Sequence, residues 1–176
     1  MSRVVAKPGD LLVMAVTTYN RCDYLRECLA SWAATRNRDY LWLVIVADDG
    51  SEDGTLEFLR RPDLEVDCHV IRNQRRGVGG QCNSIFDVCR RLDYAVGFKV
   101  DDDLVFKQPG WDDLYLQAMA GSGFAHLCHL NLQLWNDERR PKVPLAAERP
   151  LALDPSGLCV SYTGVFDCMG CLFTFT

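Results

Sequence analysis

No apolar run in this sequence is long enough to span a bilayer. Its opening residues, Met1-Ser-Arg-Val-Val-Ala-Lys-Pro-Gly-Asp10, lack the apolar centre of a secretory signal. Positive charge is in short supply as well, with 19 Lys and Arg against 24 Asp and Glu. The resulting net charge of −5, with a pI near 5.1, argues against a nucleic-acid surface, which is normally basic. There is no internal repeat and no low-complexity tract. Cysteine is not scarce, but nine is an odd number, and Cys28, Cys68, Cys89, Cys128 and Cys159 fall in apolar segments. That pattern predicts reduced, buried thiols in a cytoplasmic chain rather than a disulfide framework. What is present is 176 residues, 48% hydrophobic and 24% charged, enough for one globular domain with a real core.

Leu11–Thr17 (Leu-Leu-Val-Met-Ala-Val-Thr) is an unbroken apolar run, as in a strand covered on both faces. It ends in the polar, turn-forming Thr18-Tyr-Asn-Arg21. From Asp23, a predicted N-cap, Leu25, Cys28, Leu29 and Trp32 follow helical spacing. A second run, Leu41–Ala47, stops in Asp48-Asp49-Gly50-Ser51. Ser51 is predicted to cap the next helix, with Glu52 and Asp53 in its first turn, Leu56 and Leu59 inward, and a stop at Pro62. Val66–Ile71 reads as a third strand leading into Arg72-Asn73-Gln-Arg75-Arg76-Gly77-Val-Gly79-Gly80. A helix from about Gln81 places Ile85, Val88, Cys89 and Leu92 on one face. Tyr94–Val100 is the fourth strand, and a helix with Trp111, Leu114, Leu116 and Met119 follows Pro109-Gly110. Phe124–Leu134 reads as a further strand. Residues 135–155 are polar and broken by Pro141, Pro144, Pro150 and Pro155, the pattern of a long loop or lid. Leu158–Phe166 and Gly170–Thr176 read as final strands.

Strands alternating with helices predict a mostly parallel sheet with right-handed crossovers. In such sheets ligands bind outside the carboxyl ends of the strands. Those ends carry Thr17–Arg21, Asp48–Ser51, Arg72–Gly80 and Asp101–Asp103, all polar and all expected on one rim. The centre of the pattern is Val96–Phe106, where an apolar strand empties into three consecutive carboxylates. Adjacent anions repel, so they must be kept apart, wet, or bound to a cation. If the backbone stays extended, Asp101 and Asp103 point one way and Asp102 the other. Two converging carboxylates suit a hard divalent ion that takes its remaining oxygens from water and a phosphate substrate. The bland alternative is an acidic surface turn that caps the next element of the chain.

These segments, Val16-Thr-Thr-Tyr-Asn-Arg21, Val46-Ala-Asp-Asp-Gly-Ser-Glu-Asp-Gly-Thr55, Asn73 with Gly77-Val-Gly-Gly-Gln-Cys-Asn83, and Lys99-Val-Asp-Asp-Asp103, resemble in order and spacing those of family 2 glycosyltransferases. The resemblance runs from about Leu11 to Met119. It implies the GT-A fold: a Rossmann-like α/β architecture with a mostly parallel central sheet flanked by helices. It implies one domain over 1–176, with 11–119 as the nucleotide-sugar-binding half and 120–176 as the start of the acceptor-side half. It also implies a transferase that takes a sugar from a nucleotide-diphosphate donor, UDP-sugar favoured, with Mn²⁺ or Mg²⁺ at the diphosphate, and passes it with inversion to an acceptor hydroxyl.

Carried over by resemblance, Thr17 and Tyr19 line the base pocket, and Asp48 or Asp49 holds the base or ribose. Asn73 and the Gly77–Gly80 loop, Gly79 included, lie against the nucleotide; for the glycines, a flexible lead-in to the helix is the plain alternative. Asp101 meets the ribose side with Asp102 beside it, and Asp103 holds the metal, as in the family's DXD motif. Arg75 and Arg76 would neutralise diphosphate or form an exposed basic pair; Asn83 matches a family asparagine, with pinning of the neighbouring loop from its helix as the plain alternative. The glycines lack the Lys-Ser/Thr of a Walker A motif, which speaks against an ATPase loop. The family's base lies past the strand predicted at Gly170–Thr176, so it is expected beyond Thr176, in a longer enzyme. Asp167 precedes that strand and is a poor substitute. Two other functions stay open: a nucleotidyltransferase on a related sheet, and a non-catalytic sugar-nucleotide-binding domain. Cys168-Met-Gly-Cys171 is a lone CxxC and reads as structural, as do His126 and His129. Trp111 is either a core anchor or a surface for sugar stacking, and Trp135 is an acceptor-side candidate.

Overall fold

A computed structural model describes residues 6–61, 68–128, 150–153, 159–161 and 172–176. The elements in chain order are β1 (Leu11–Thr18), α1 (Cys22–Thr35), β2 (Leu41–Asp48), α2 (Thr55–Leu59), β3 (Cys68–Arg72), α3 (Gly77–Cys89), β4 (Val96–Asp101), α4 (Trp111–Ser122), β5 (Pro150–Leu153), β6 (Cys159–Ser161) and β7 (Leu172–Phe175). The main sheet has the order β3-β2-β1-β4-β7. Its first four strands are parallel, and β7 runs antiparallel to β4. β5 and β6 form a separate antiparallel pair.

The apolar runs form strands because both sheet faces are covered. On one face Leu12, Met14, Val16, Val44, Val46, Phe98 and Val100 pack with Leu25, Leu29 and Trp32 of α1 and Trp111 and Met119 of α4. On the other, Val13, Ala15, Ile45 and Ala47 pack with Ile85 and Cys89 of α3. The change of face follows from the path of the chain. It moves outward from β1 to β3, then crosses back to β4, and a right-handed crossover in the reversed direction places its helix on the opposite face. The reversal makes the boundary between β1 and β4 the topological switch point of the sheet.

Several local expectations are corrected. Asp23 does not cap α1; it lies in the first turn, and the Cys22 N–H is taken by Asp53 Oδ2 at 2.8 Å, from the next loop. Ser51 does not cap α2, which starts later, at Thr55, after the left-handed Gly54. The Ser51 hydroxyl instead accepts the Asn20 N–H at 2.8 Å, while Asn20 Oδ1 accepts the Glu52 N–H at 2.8 Å. These bonds staple the β1 and β2 loops together. α3 begins at Gly77, so the glycines are its first turn rather than a lead-in.

Phe124–Cys128 is not a strand; only Cys128 forms an isolated bridge, to Phe173. Residues 150–153 pair as a strand where a loop is expected. Cys22, Cys28, Cys68, Cys82, Cys89 and Cys128 are not in disulfides, but Cys68 and Cys82 are only half-buried and Cys128 is exposed. Cys168, Cys171, His129, Trp135 and Asp167 lie outside the described residues.

Candidate functional site

The parallel register brings the strand ends level. Thr17 is paired with Ala47 on one side and Asp101 on the other, and Thr18 with Asp48, which in turn pairs with Arg72. The four polar segments therefore leave the sheet along one rim, and they bond to one another there. The Asn73 N–H donates to the Asp48 carbonyl at 2.7 Å. Asp49 receives the N–H groups of Arg76, at 2.7 Å, and Gly77, at 2.8 Å, on its two carboxylate oxygens. That carboxylate caps α3 and complements the positive end of its dipole. Asp48 is fully buried and receives the Gly50 and Ser51 N–H groups within its own turn. Both acids expected to meet a base or ribose thus already hold backbone donors, and each oxygen retains acceptor capacity for a ligand N–H or O–H.

At the switch point β4 ends at Asp101, and the chain turns, with the Leu104 N–H reaching the Asp101 carbonyl at 3.3 Å. The three carboxylates consequently do not alternate as an extended strand would have them. Asp101 receives the Nζ of Lys99, two residues earlier on the same strand face. Asp102 turns inward, 4% exposed, and accepts the Thr18 hydroxyl at 2.8 Å. Arg21 closes the arrangement, with Nη1 3.1 Å from Asp102 Oδ1 and Nη2 2.8 Å from Asp103 Oδ2. Burial pushes the Asp102 carboxyl above its ordinary range, against the opposing pull of the Thr18 hydroxyl and Arg21. The hydrogen bond to Asp103 holds the Arg21 guanidinium above its usual value despite partial desolvation.

Lys99 is a residue that sequence reasoning missed. It is 4% exposed. Its signal was a lysine inside an apolar strand, placed two residues before an acid so that the two share a face. Arg21 was passed over as part of a turn, although it links the first loop to the acidic one.

Tyr19 sits beneath Arg75, whose guanidinium lies 4.2 Å from the ring centroid and donates to the Tyr19 hydroxyl. Arg75 takes a left-handed φ of 55° to reach it. Asn73 directs its Oδ1 to the Ser84 hydroxyl at 3.0 Å. The Asn73 Nδ2 and the Gln81 Oε1 are buried without a partner among the described residues, which a bound polar ligand or water would satisfy. A Cβ placed at Gly79 meets nothing within 4 Å, whereas one at Gly80 lands 2.5 Å from the Arg76 Cβ. Trp111 is a core anchor: it is buried among Trp42, Phe98, Phe106 and Tyr115.

The acidic turn also bears on metal binding. Among the described residues no three His, Cys, Asp or Glu side chains converge into a cage. The donors here are carboxylates, the hard oxygens that Mg²⁺ and Mn²⁺ accept. Asp103, with 43% of its side chain exposed, is the most open of those contacted by Arg21. The set fits an ion held by one or two carboxylates and completed by substrate phosphates and water, and does not fit an all-protein site.

No helix among the described residues is long and apolar enough to cross a membrane. No curated protein sequence matches the chain. Solved structures that resemble it in fold include two glycosyltransferase neighbours. One is the mannosyltransferase PcManGT from Pyrobaculum calidifontis in complex with GDP-Man and Mn²⁺, at TM-score 0.53 and 22% identity, over 71% of this chain and 37% of that one. The other is TarS 1-349 from S. aureus in complex with UDP-GlcNAc, at TM-score 0.54 and 21% identity, over 68% of this chain and 34% of that one. The chain thus matches about a third of the length of each. Its mostly parallel sheet flanked by helices is the GT-A arrangement of these neighbours. The sequence profile of Glycosyl transferase family 2 matches residues 14–169, and the chain belongs to that family.

Proposed function

We propose that the rim binds a nucleotide-diphosphate sugar, a UDP-sugar first among them, and that the chain serves its transfer, with inversion, to an acceptor hydroxyl. The observation that carries this reading is the mutual hydrogen bonding of four polar strand ends at the switch point between β1 and β4, where doubly wound sheets take their ligands. Two GT-A neighbours that hold GDP-Man with Mn²⁺ and UDP-GlcNAc support it.

In this reading Thr17 and Tyr19 form the base pocket, with the Arg75 guanidinium over the Tyr19 ring. Asp48 and Asp49 accept from the base or ribose while keeping the loop and the α3 terminus in place. Asn73 offers its unpaired Nδ2, and Gly79 lets the nucleotide approach the first turn of α3. Asp101 meets the ribose, steadied by Lys99, and Asp102 anchors the turn that carries Asp103. Asp103 would hold the divalent ion, which when bound supplies positive charge to the departing nucleoside diphosphate. The fixed bonds around Asp48, Asp49, Asp101 and Asp102 mean little reorganisation of those four when the donor arrives.

Titration of UDP into the folded chain by calorimetry, with and without Mn²⁺, tests the reading. Binding that needs Mn²⁺ and is lost in Asp103→Ala is the expected result. A folded chain that ignores UDP, GDP and dTDP in every condition would overturn it.

A further inference from the structure

We propose that Arg21 is an internal counter-ion for the acidic turn, and that it releases Asp103 to an incoming divalent cation while keeping Asp102. This rests on the reading that Asp103 receives the metal. One planar guanidinium spans carboxylates of two adjacent residues, 3.1 Å from Asp102 and 2.8 Å from Asp103. The two ends of the bridge differ. Asp102 is buried and also fixed by Thr18 at 2.8 Å, whereas the Asp103 end is open to solvent. Among the described residues Lys99 pairs with Asp101, and Arg21 is the cation that balances the other two acids.

Three adjacent carboxylates repel one another, and the fold meets that repulsion with two cations of its own. The turn therefore keeps its shape without a metal. The guanidinium contacts Oδ2 of Asp103, so a divalent ion that takes the other oxygen meets a like charge within a few Å, and the open end of the bridge is the one free to give way. The anchored end then holds Arg21 close to the ion, and its released N–H donors find acceptors in phosphate oxygens. Guanidinium stacking on the Tyr24 ring, 4.7 Å to its centroid, is a contact that either position must keep or give up. Arg21 is thus a positioning residue with opposite effects on two ligands: it opposes the bare cation and assists the cation that arrives with a diphosphate.

Binding of Mn²⁺ alone, followed by the paramagnetic resonance signal of the free ion, tests this in wild type, Arg21→Gln, Arg21→Lys and Asp103→Ala. Arg21→Gln is expected to bind Mn²⁺ more tightly by roughly three- to tenfold, the effect of removing one like charge a few Å away in a solvated site. Lysine keeps the charge but cannot bridge two carboxylates with one planar fork, so Arg21→Lys should also bind more tightly than wild type, though less than Arg21→Gln. The same Arg21→Gln variant should bind UDP with Mn²⁺ less tightly than wild type. Equal Mn²⁺ affinity in wild type and both Arg21 variants overturns the latch, and leaves the nucleotide reading standing if the wild-type chain binds UDP with Mn²⁺. Mn²⁺ affinity unchanged by Asp103→Ala overturns the site assignment, and the latch with it.

Discussion

The ring of Phe175 covers Gly97 so closely that a Cβ on Gly97 would lie 2.1 Å from its Cζ. The two residues are register partners across β4 and β7. Phe175 also meets Phe86 of α3 and Tyr94 edge-on, at 5.2 and 5.9 Å. Gly97→Ala is therefore expected to push the ring aside and destabilise the fold by about 1–3 kcal/mol, the usual range for overpacking. Phe175→Leu should recover part of that loss. A double-mutant cycle by urea unfolding checks the coupling; additive effects would show that the contact does not constrain β7.

Gly79 and Gly80 separate folding from ligand approach. Around Gly79 there is open space, and Ala is a better helix former than Gly by about 1 kcal/mol. Gly79→Ala should leave the melting temperature equal or higher, and weaken UDP binding at least severalfold if the nucleotide lies against this turn. Gly80→Ala instead meets the Arg76 Cβ at 2.5 Å and should lower stability. Unchanged UDP affinity in Gly79→Ala would remove this residue from the binding surface.

Two carboxylates have opposite pH signatures. Burial pushes Asp53 up, but the Thr55 hydroxyl and the N–H groups of Cys22 and Thr55 outweigh it and hold the carboxyl below its ordinary value. Its contribution is present at neutral pH and lost as pH falls through that lowered value. Burial of Asp112 dominates over the N–H groups of Asn37, at 2.7 Å, and Asp113, and raises its carboxyl. The folded state then binds the proton more tightly than the unfolded chain, so stability falls as pH rises through the window above the ordinary carboxylate value. Urea midpoints between acid and neutral pH should show Asp53→Ala weaker than wild type by about 1 kcal/mol at neutral pH, as for a lost cap, with the gap closing in acid. The stability of wild type relative to Asp112→Asn should decline with rising pH; the reverse slope would refute the assignment.

The strands were legible because Leu11–Val16 and Leu41–Ala47 are apolar at every position, and most of those side chains are buried on one or the other face of the sheet. The gathering of the polar ends was legible too, since parallel strands all finish on one side. The start of α3 was not. Gly77, Gly79 and Gly80 carry poor helix propensity, and it is the remote Asp49 carboxylate that caps the turn they form. The cap of α1 failed in the same way: its acceptor is Asp53, 31 positions from Cys22, where a local reading looks only to neighbours. At the candidate site the anions announced themselves and their cations did not. Arg21 and Lys99 are matched to Asp101–Asp103 by the turn after β4, and an extended backbone would have paired them otherwise.

The burial of Lys99 changes how substitutions at the acidic turn must be interpreted. Its ammonium group is nearly sealed from water and relies on Asp101. Removing the carboxylate alone would strand a positive charge in the sheet without its partner, at a cost to the strand itself. Asp101→Ala is thus an ambiguous probe: lost binding could arise from a missing ribose contact or from a damaged strand. Asp101→Asn combined with Lys99→Met removes both charges together and separates the two causes.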